Sequence, residues 1–250
     1  MESDQRKRFQ IIIAILLVLV VARTAYLFYQ RHKSNEQPGP KQPEYSSNLD
    51  DYVSIPKVYF YDLKSAQKEL SEKTVWVKAG NQIPYYRYNQ QSKQAELKRE
   101  AGLLAPLEKL EIKNVTSQRV PRTLSEGQIA VVQYDILAVF TPAKEAGTYA
   151  VSIGKSVGDD FTATANELFF FADPHKLYSH WPPEIWKAID EHKAVPGMNE
   201  LQVSLALGTA GSISPGDYGN RSIEYSNNGI PVKVTFEHNK AVSVTPADAQ

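Results

Sequence analysis

The pattern of hydrophobic and polar positions divides the 250-residue chain into successive parts. Residues 11–29 are almost entirely apolar. The length of this run is close to that of a membrane-crossing helix, which needs about 20 residues. Residues 30–54 are polar and rich in proline and serine, as is typical of a linker. Short apolar runs between turns predict a β-rich domain over residues 55–172. Helical and strand patterns then predict a mixed module over residues 173–246, followed by a tail of residues 247–250.

The apolar run predicts a single transmembrane anchor. Basic residues 6–8 precede it and Arg31 and Lys33 follow it, which favours an N-terminus inside the cell and a cytoplasmic tail of residues 1–10. The alternative is a cleaved signal peptide that ends near Ala22. Both alternatives place the folded part outside the cytoplasm. The anchor makes the lipid bilayer of the inner cell membrane a partner through residues 11–29.

The C-terminal module is organised around one short helix. Asn199 is a good N-cap, and Gln202 three residues later completes a capping box. Met198 and Val203 are spaced for a hydrophobic staple. Gly208 can adopt the positive φ that ends a helix. Four local signals therefore predict a helix between Asn199 and Gly208.

Further elements surround this helix. Residues 182–192 predict a second helix with proline in its first turn and apolar residues at 185, 186, 188 and 189. Residues 209–222 are rich in Gly and Ser and predict a loop. Strands at 223–225 and 231–236 flank Asn228-Gly229, a hairpin signal, and a third strand follows at 241–244. The module is therefore predicted to be two helices on a three-stranded antiparallel meander.

The run Gly197-Met198-Asn199, with Gln202-Val203, Leu207-Gly208 and a final Val-Thr-Phe strand, resembles the SmpA/OmlA module. That module is known from the small lipoprotein of the outer-membrane barrel-assembly machine. The resemblance covers residues 181–244 and implies a helix-plus-sheet fold with a binding role in envelope assembly. The lipid-modified cysteine of that lipoprotein has no counterpart here, because this chain contains no cysteine.

The β-rich part predicts an SH3-like barrel or a small curled sheet. Asp62 is placed to cap a brief helix at 63–70, residues 92–101 predict a charged helix, and residues 128–140 predict the longest strand. Consecutive phenylalanines 169–171 would be a liability if exposed, so the two folded parts are expected to pack together. The fold class is therefore predicted to be α+β with one N-terminal transmembrane helix.

Charge and composition narrow the function. The 28 basic and 28 acidic residues balance, whereas nucleic-acid binders show a basic excess, so no nucleic-acid partner is expected. Without cysteine there are no disulfides, thiolate zinc sites or cysteine nucleophiles.

Two clusters are candidates for chemistry. His175, His180 and His192 lie near one another in sequence, but the first two diverge by about 140° on a helix, which disfavours a shared metal ion. Polar and capping roles are the alternative. Asp159 and Asp160 could form an acid–base pair, but the glycine before them favours a solvated turn. No catalytic, cofactor-binding or metal-binding residue is therefore predicted.

Aromatic residues supply the candidate interaction surface. Trp76, Tyr85, Tyr86 and Tyr88 could stack on sugar rings or anchor a protein interface. Cross-strand packing in a core is the alternative.

Together these patterns predict a membrane-anchored, extracytoplasmic binding or scaffold protein of the bacterial envelope that is not an enzyme. An envelope protein or a glycan is the expected partner. The alternatives are an envelope enzyme acting on cell-wall glycan, through the acidic pair or the histidines, and a ligand sensor with an apolar pocket.

Overall fold

The computed structural model describes Leu19, residues 21–27, Tyr29, and residues 49–120, 132–142 and 146–247. The chain forms two compact units, Met1–Tyr52 and Val53–Gln250. In the first unit, residues 21–27 are helical and exposed, and Leu49–Tyr52 forms a 3-10 turn. The predicted cytoplasmic tail, most of the linker and residues 248–250 of the C-terminal tail lie outside the described residues.

The predicted α+β class with a transmembrane helix is wrong. Among the described residues strand is commoner than helix, and the strands form two antiparallel sheets. Among them, no helix has the length and apolar character that crossing a membrane requires. The strand content is higher than predicted because two segments read as helix and loop became strands.

The first sheet has eight strands in the order β3-β2-β6-β5-β4-β1-β8, with β7 paired to β6. The strands are β1 (Thr74–Val77), β2 (Pro84–Asn89), β3 (Gln94–Leu103), β4 (Lys109–Val120), β5 (Gln133–Pro142), β6 (Tyr149–Val157), β7 (Asp160–Ala163) and β8 (Phe169–Phe170).

Helix α1 (Leu63–Leu70) packs beside β4 in this sheet. As predicted, Asp62 caps it: its carboxylate accepts from the Ser65 amide at 2.6 Å. The main core of the sheet includes Leu110, Ile112 and Phe140. Residues 136–140 of β5 are all buried, so both faces of this central strand are covered.

The second face of β5 is covered by the β2–β3 hairpin. Ala95 and Leu97 of β3 join Leu137 in a small apolar cluster. The Gln118 side-chain amide on β4 accepts from the Ala95 amide at 2.7 Å and donates to the Ala95 carbonyl at 2.9 Å. The hairpin therefore folds back over β4 and β5. Residues 92–101 were predicted as a helix, but residues 92–93 form a turn and the rest belong to β3, because these contacts require an extended backbone.

The second sheet is a meander of four strands, not three. Its order is β12-β11-β10-β9, with β9 (Ala210–Ile213), β10 (Ser222–Tyr225), β11 (Val232–Glu237) and β12 (Lys240–Pro246). The predicted hairpin around Asn228-Gly229 is present as the β10–β11 pair. The predicted loop over residues 209–222 contains β9, which pairs with β10 despite its small polar residues.

Four short helices lie between β7 and β9: α2 (Ala165–Leu168), α3 (Pro174–Leu177), α4 (Pro183–Asp190) and α5 (Glu200–Leu207). Helix α5 has the predicted capping box, in which Asn199 and Gln202 exchange bonds of 2.8 Å. Gly208 ends the helix at φ 91° and ψ −161°, a conformation available essentially only to glycine. Met198, Val203 and Leu205 are buried, so α5 lies at the centre of the second core.

The two sheets belong to one unit and meet along a seam of hydrogen bonds. The Asn81 side chain donates to the Leu207 carbonyl at 2.8 Å, and the Thr209 amide donates to the Gly80 carbonyl at 3.0 Å. Phe169 packs in the first core and Phe170 in the second, which confirms that the phenylalanine run joins the two parts. The boundary predicted at residue 173 therefore falls within one compact unit.

An extended strap, residues 53–61, also bridges the two cores. Val53 and Ile55 pack on the second core, whereas Val58 and Phe60 pack on the first. The Asn166 side chain accepts from the Val58 amide at 3.0 Å and donates to its carbonyl at 2.7 Å. Both backbone groups of Val58 are therefore hydrogen-bonded as in a strand, but their partner is a side chain and not a second strand.

Candidate functional site

A surface depression lies between α3 and α4. Its cavity volume is about 640 Å³. We call it the aromatic groove, and it is lined by His175, Ser179, Trp181, Pro183, Trp186, Lys187, Asp190 and Glu191.

The local sequence explains how the groove forms. Asp173 caps α3 by accepting from the His175 amide at 3.0 Å, and Pro174 occupies the first turn. Pro182 and Pro183 then start α4, because proline needs no partner for its missing N–H there. These two starts place Trp181 and Trp186 on either side of one short bend.

A continuous stack of rings forms the floor. The ring centroids of Tyr178 and Trp181 are 4.4 Å apart, and those of Trp181 and Trp186 are 5.1 Å apart. His175 stacks on Trp186 with centroids at 4.0 Å and planes at 24°. Both tryptophans are less than a tenth exposed, so their positions are fixed by the core.

The rim is charged and exposed. His175 Nε2 lies 3.2 Å from a carboxylate oxygen of Asp190, and its Nδ1 lies 3.5 Å from Asp173. Lys187 and Glu191 add one charge of each sign. A rigid apolar floor with a polar rim suits binding, in which the floor supplies contact energy and the rim supplies orientation.

The three histidines have separate roles. His175 belongs to the aromatic groove, whereas His180 is exposed beside Tyr178 and Trp181. His192 Nδ1 lies 3.2 Å from the Ala206 carbonyl, beside the end of α5. In the part of the chain that is described, no group of three His, Cys, Asp or Glu side chains is placed to hold a metal ion.

The acidic pair lies elsewhere. Asp159 lies in the turn between β6 and β7 and Asp160 begins β7; both are exposed, and neither lines the aromatic groove. This turn is the solvated alternative that the sequence favours.

The four predicted surface aromatics do not share one surface. Trp76 is half-buried against the second core, and Tyr85 packs on the first core edge-on to Phe140. Tyr86 and Tyr88 belong to the small cluster under the β2–β3 hairpin. Burial raises the pKa of both hydroxyls, and the charge of Glu100 adds to the rise at Tyr86. The four residues therefore lie in three separate places, and their role in an interaction stays a prediction.

The aromatic groove was not predicted as a site. The signal available in the sequence was density, since residues 169–186 hold two of the chain's three tryptophans together with a tyrosine and three phenylalanines. Periodicity assigned Trp186 only to an apolar helix stripe, because stacking between Trp181 and Trp186 depends on the bend between two helices.

Searches against protein-family models, curated proteins and solved structures found no match. The resemblance of residues 181–244 to the SmpA/OmlA module therefore stays a prediction.

Proposed function

We propose that this chain is a non-enzymatic binding or scaffold protein of the bacterial cell envelope, with a role in envelope assembly. The aromatic groove is the observation that carries the proposal. Its floor is held by the core and its rim is exposed, so a partner would meet a preformed surface and lose little entropy to ordering it. Aromatic floors of this kind serve as anchors in protein interfaces.

The location at the envelope is supported by the sequence of residues 11–29, most of which lie outside the described residues. Their apolar character and the basic residues before them favour a place at the cell membrane with the folded unit outside the cytoplasm. The resemblance of residues 181–244 to an envelope-assembly module supports the same location.

The enzyme alternative needs its chemical groups in one cleft. Asp159 and Asp160 lie on the β6–β7 turn, and His175 lies in the aromatic groove between α3 and α4. This separation favours a binding role over acid–base chemistry.

Site-specific photo-crosslinking in cells tests the proposal. A crosslinking amino acid at Lys187, on the groove rim, is expected to capture a discrete envelope protein, and His175→Ala is expected to reduce the yield. The matched control places the crosslinker at Lys64, which is exposed on α1. Equal products at the two positions, or none at Lys187, would contradict the proposed binding surface.

Fractionation tests the location separately. The full-length chain is expected in the membrane fraction, and its folded unit should be cleaved by protease added outside the cytoplasmic membrane. Recovery in the cytosol, protected from that protease, would contradict an envelope role.

A further inference from the structure

A second depression opens on the first sheet, where β2, β3 and β6 meet. Its cavity volume is about 300 Å³, at the lower end of the about 300–1,000 Å³ typical of small-ligand pockets. We call it the arginine pocket. Its principal residues are Tyr85, Arg87, Glu96, Arg99, Glu100 and Tyr149.

Irregular strand pairing builds this pocket. Tyr86 pairs with Glu100 and Tyr88 pairs with Ala95, so Arg87 alone stands opposite residues 96–99 of β3. The extra residues on β3 bulge away from regular pairing and bring several charged side chains to one place. Bulges re-aim side chains in this way and are over-represented beside functional sites.

The floor of the pocket is fixed. The rings of Tyr85 and Tyr149 meet edge-on with centroids at 5.1 Å, and both pack near the buried ring of Phe140. Two glycines make room for these rings. A Cβ at Gly102 would lie 2.8 Å from the Tyr85 hydroxyl, and a Cβ at Gly147 would lie 2.8 Å from the Tyr149 ring.

The pocket has equal numbers of positive and negative side chains, but they do not form ion pairs with one another. The pocket is lined by the guanidinium groups of Arg87 and Arg99 and by the carboxylates of Glu96 and Glu100. Among the described residues, no ion pair joins either arginine to either glutamate. All four side chains are exposed. The pocket therefore offers hydrogen-bond donors and acceptors in quantity and no net charge.

This chemistry selects among ligands. Exposed ion pairs contribute only about 0–1 kcal/mol, so an inorganic anion or a small zwitterion would be held weakly. A guanidinium presents parallel donors in a fixed plane and a carboxylate presents paired acceptors. Such groups match adjacent hydroxyls on a sugar ring, and they stand around Tyr85 and Tyr149 in one pocket.

We propose that the arginine pocket binds a neutral glycan, one sugar residue of which occupies the space over Tyr85 and Tyr149. This site goes beyond the proposed function, because it uses a different surface from the aromatic groove.

A glycan array probed with the purified full-length chain tests the proposal. The array should show binding to neutral glycans, and calorimetry with the best of them should give a dissociation constant that rises at least tenfold in Arg87→Ala and in Arg99→Ala. Lys98→Ala is the matched control, since Lys98 is exposed on the same strand outside the pocket. The control should change the constant less than twofold, and thermal unfolding should show all three variants folded.

Each other outcome overturns the proposal. An array without neutral-glycan binding excludes the ligand class. Binding that both arginine variants retain excludes the pocket. Binding of a free dipeptide or of inorganic phosphate in place of glycans would show that charge is what the pocket recognises. Loss of the Lys187 crosslink leaves this test unaffected, because crosslinking reports on the aromatic groove.

Discussion

In each sheet, side chains form hydrogen bonds to backbone that has no strand partner, but the two sheets use different kinds of side chain. In the first sheet, neutral side-chain amides replace a missing strand neighbour: Gln118 bonds both backbone groups of Ala95, and Asn166 bonds both of Val58. An amide can do this because it carries a donor and an acceptor, as a peptide group does.

The second sheet uses a charge instead. Glu200, at the start of α5, is 4% exposed. Its carboxylate accepts from the Gly219 amide at 2.7 Å and from Arg221 Nε at 3.0 Å, and Arg221 Nη2 makes a further short contact. One side chain thereby ties the helix to the loop that leads into β10.

A neutral side chain and a charged one have different costs in a protein interior. A neutral amide costs less to desolvate than an ionised group, and its hydrogen bonds do not depend on a charged partner. A buried carboxylate is stable only while its cation is present, because an unpaired charge in the interior is costly. The first sheet should therefore lose stability in modest steps when a bridge is removed, and the second in a large one.

The largest loss of stability is expected at the seam, because a change there disturbs both sheets at once. Gly208→Val must strain the backbone, and its Cβ would overlap the Gly80 carbonyl. We expect a loss of about 3–5 kcal/mol in the free energy of unfolding, measured by urea denaturation. The matched control is Gly197→Val, which has a similar φ of 89° but nothing within 4 Å. It should cost only the strain, about 1–2 kcal/mol. Equal losses would mean that the seam is not tightly packed.

Arg221→Met should come next, at about 2–4 kcal/mol, because it leaves Glu200 buried without its cation. The hydrogen bonds that Arg221 donates to Glu200 raise the pKa of Arg221 above its ordinary value, so the guanidinium stays charged at any ordinary pH. The exposed pair Lys233–Glu224, at 3.7 Å in the same sheet, is the control. Lys233→Met should cost about 0–1 kcal/mol. If Arg221→Met costs no more than this control, the carboxylate does not depend on its partner.

Gln118→Leu should cost about 1–3 kcal/mol, since it leaves two backbone groups of Ala95 without partners. Hydrogen exchange at the Ala95 amide should accelerate in this variant. Gln94→Leu, at an exposed position one residue before Ala95, should leave both quantities unchanged. Unaltered exchange in Gln118→Leu would show that the hairpin is held by apolar packing alone.

The smallest effect appears only at alkaline pH. Burial, aided by the charge of Glu200, raises the pKa of Tyr225 above its ordinary value. Above about pH 10 the unfolded chain releases this proton while the folded chain retains it, so stability should fall by up to about 1.4 kcal/mol per pH unit. Tyr225→Phe should flatten that fall between about pH 10 and about pH 11. Tyr59→Phe, at a side chain that is 70% exposed, should leave the slope unchanged, and equal slopes in the two variants would contradict the assignment.

The elements whose signals are local were predictable. Asn199, Gln202 and Gly208 define α5 within a few residues, Asp62 begins α1, and the turn at Asn228-Gly229 joins β10 to β11. Each signal acts through hydrogen bonds or φ angles within one or two turns, so the neighbouring residues suffice to specify it.

The candidate sites were less predictable. The sequence singled out Tyr85 as part of a shared aromatic surface and His175 as part of a histidine cluster, and the structure places both in other surroundings. Arg87 and Arg99 carried no signal, because their meeting depends on bulged pairing between β2 and β3.

Local signals were enough to specify α5 with its caps and the hairpin of the second sheet, and the composition excludes cysteine chemistry. Residues 94–103 and 210–213 are strands because of contacts that form only in the folded chain. Residues 96–100, of which four are charged, suit a helix as well as a strand. The bonds between Gln118 and Ala95, with the apolar cluster beneath them, favour the strand. Asn81 likewise meets Leu207 only when the chain has folded, since 126 positions separate them. Long-range contacts therefore decided this fold wherever local preference was weak.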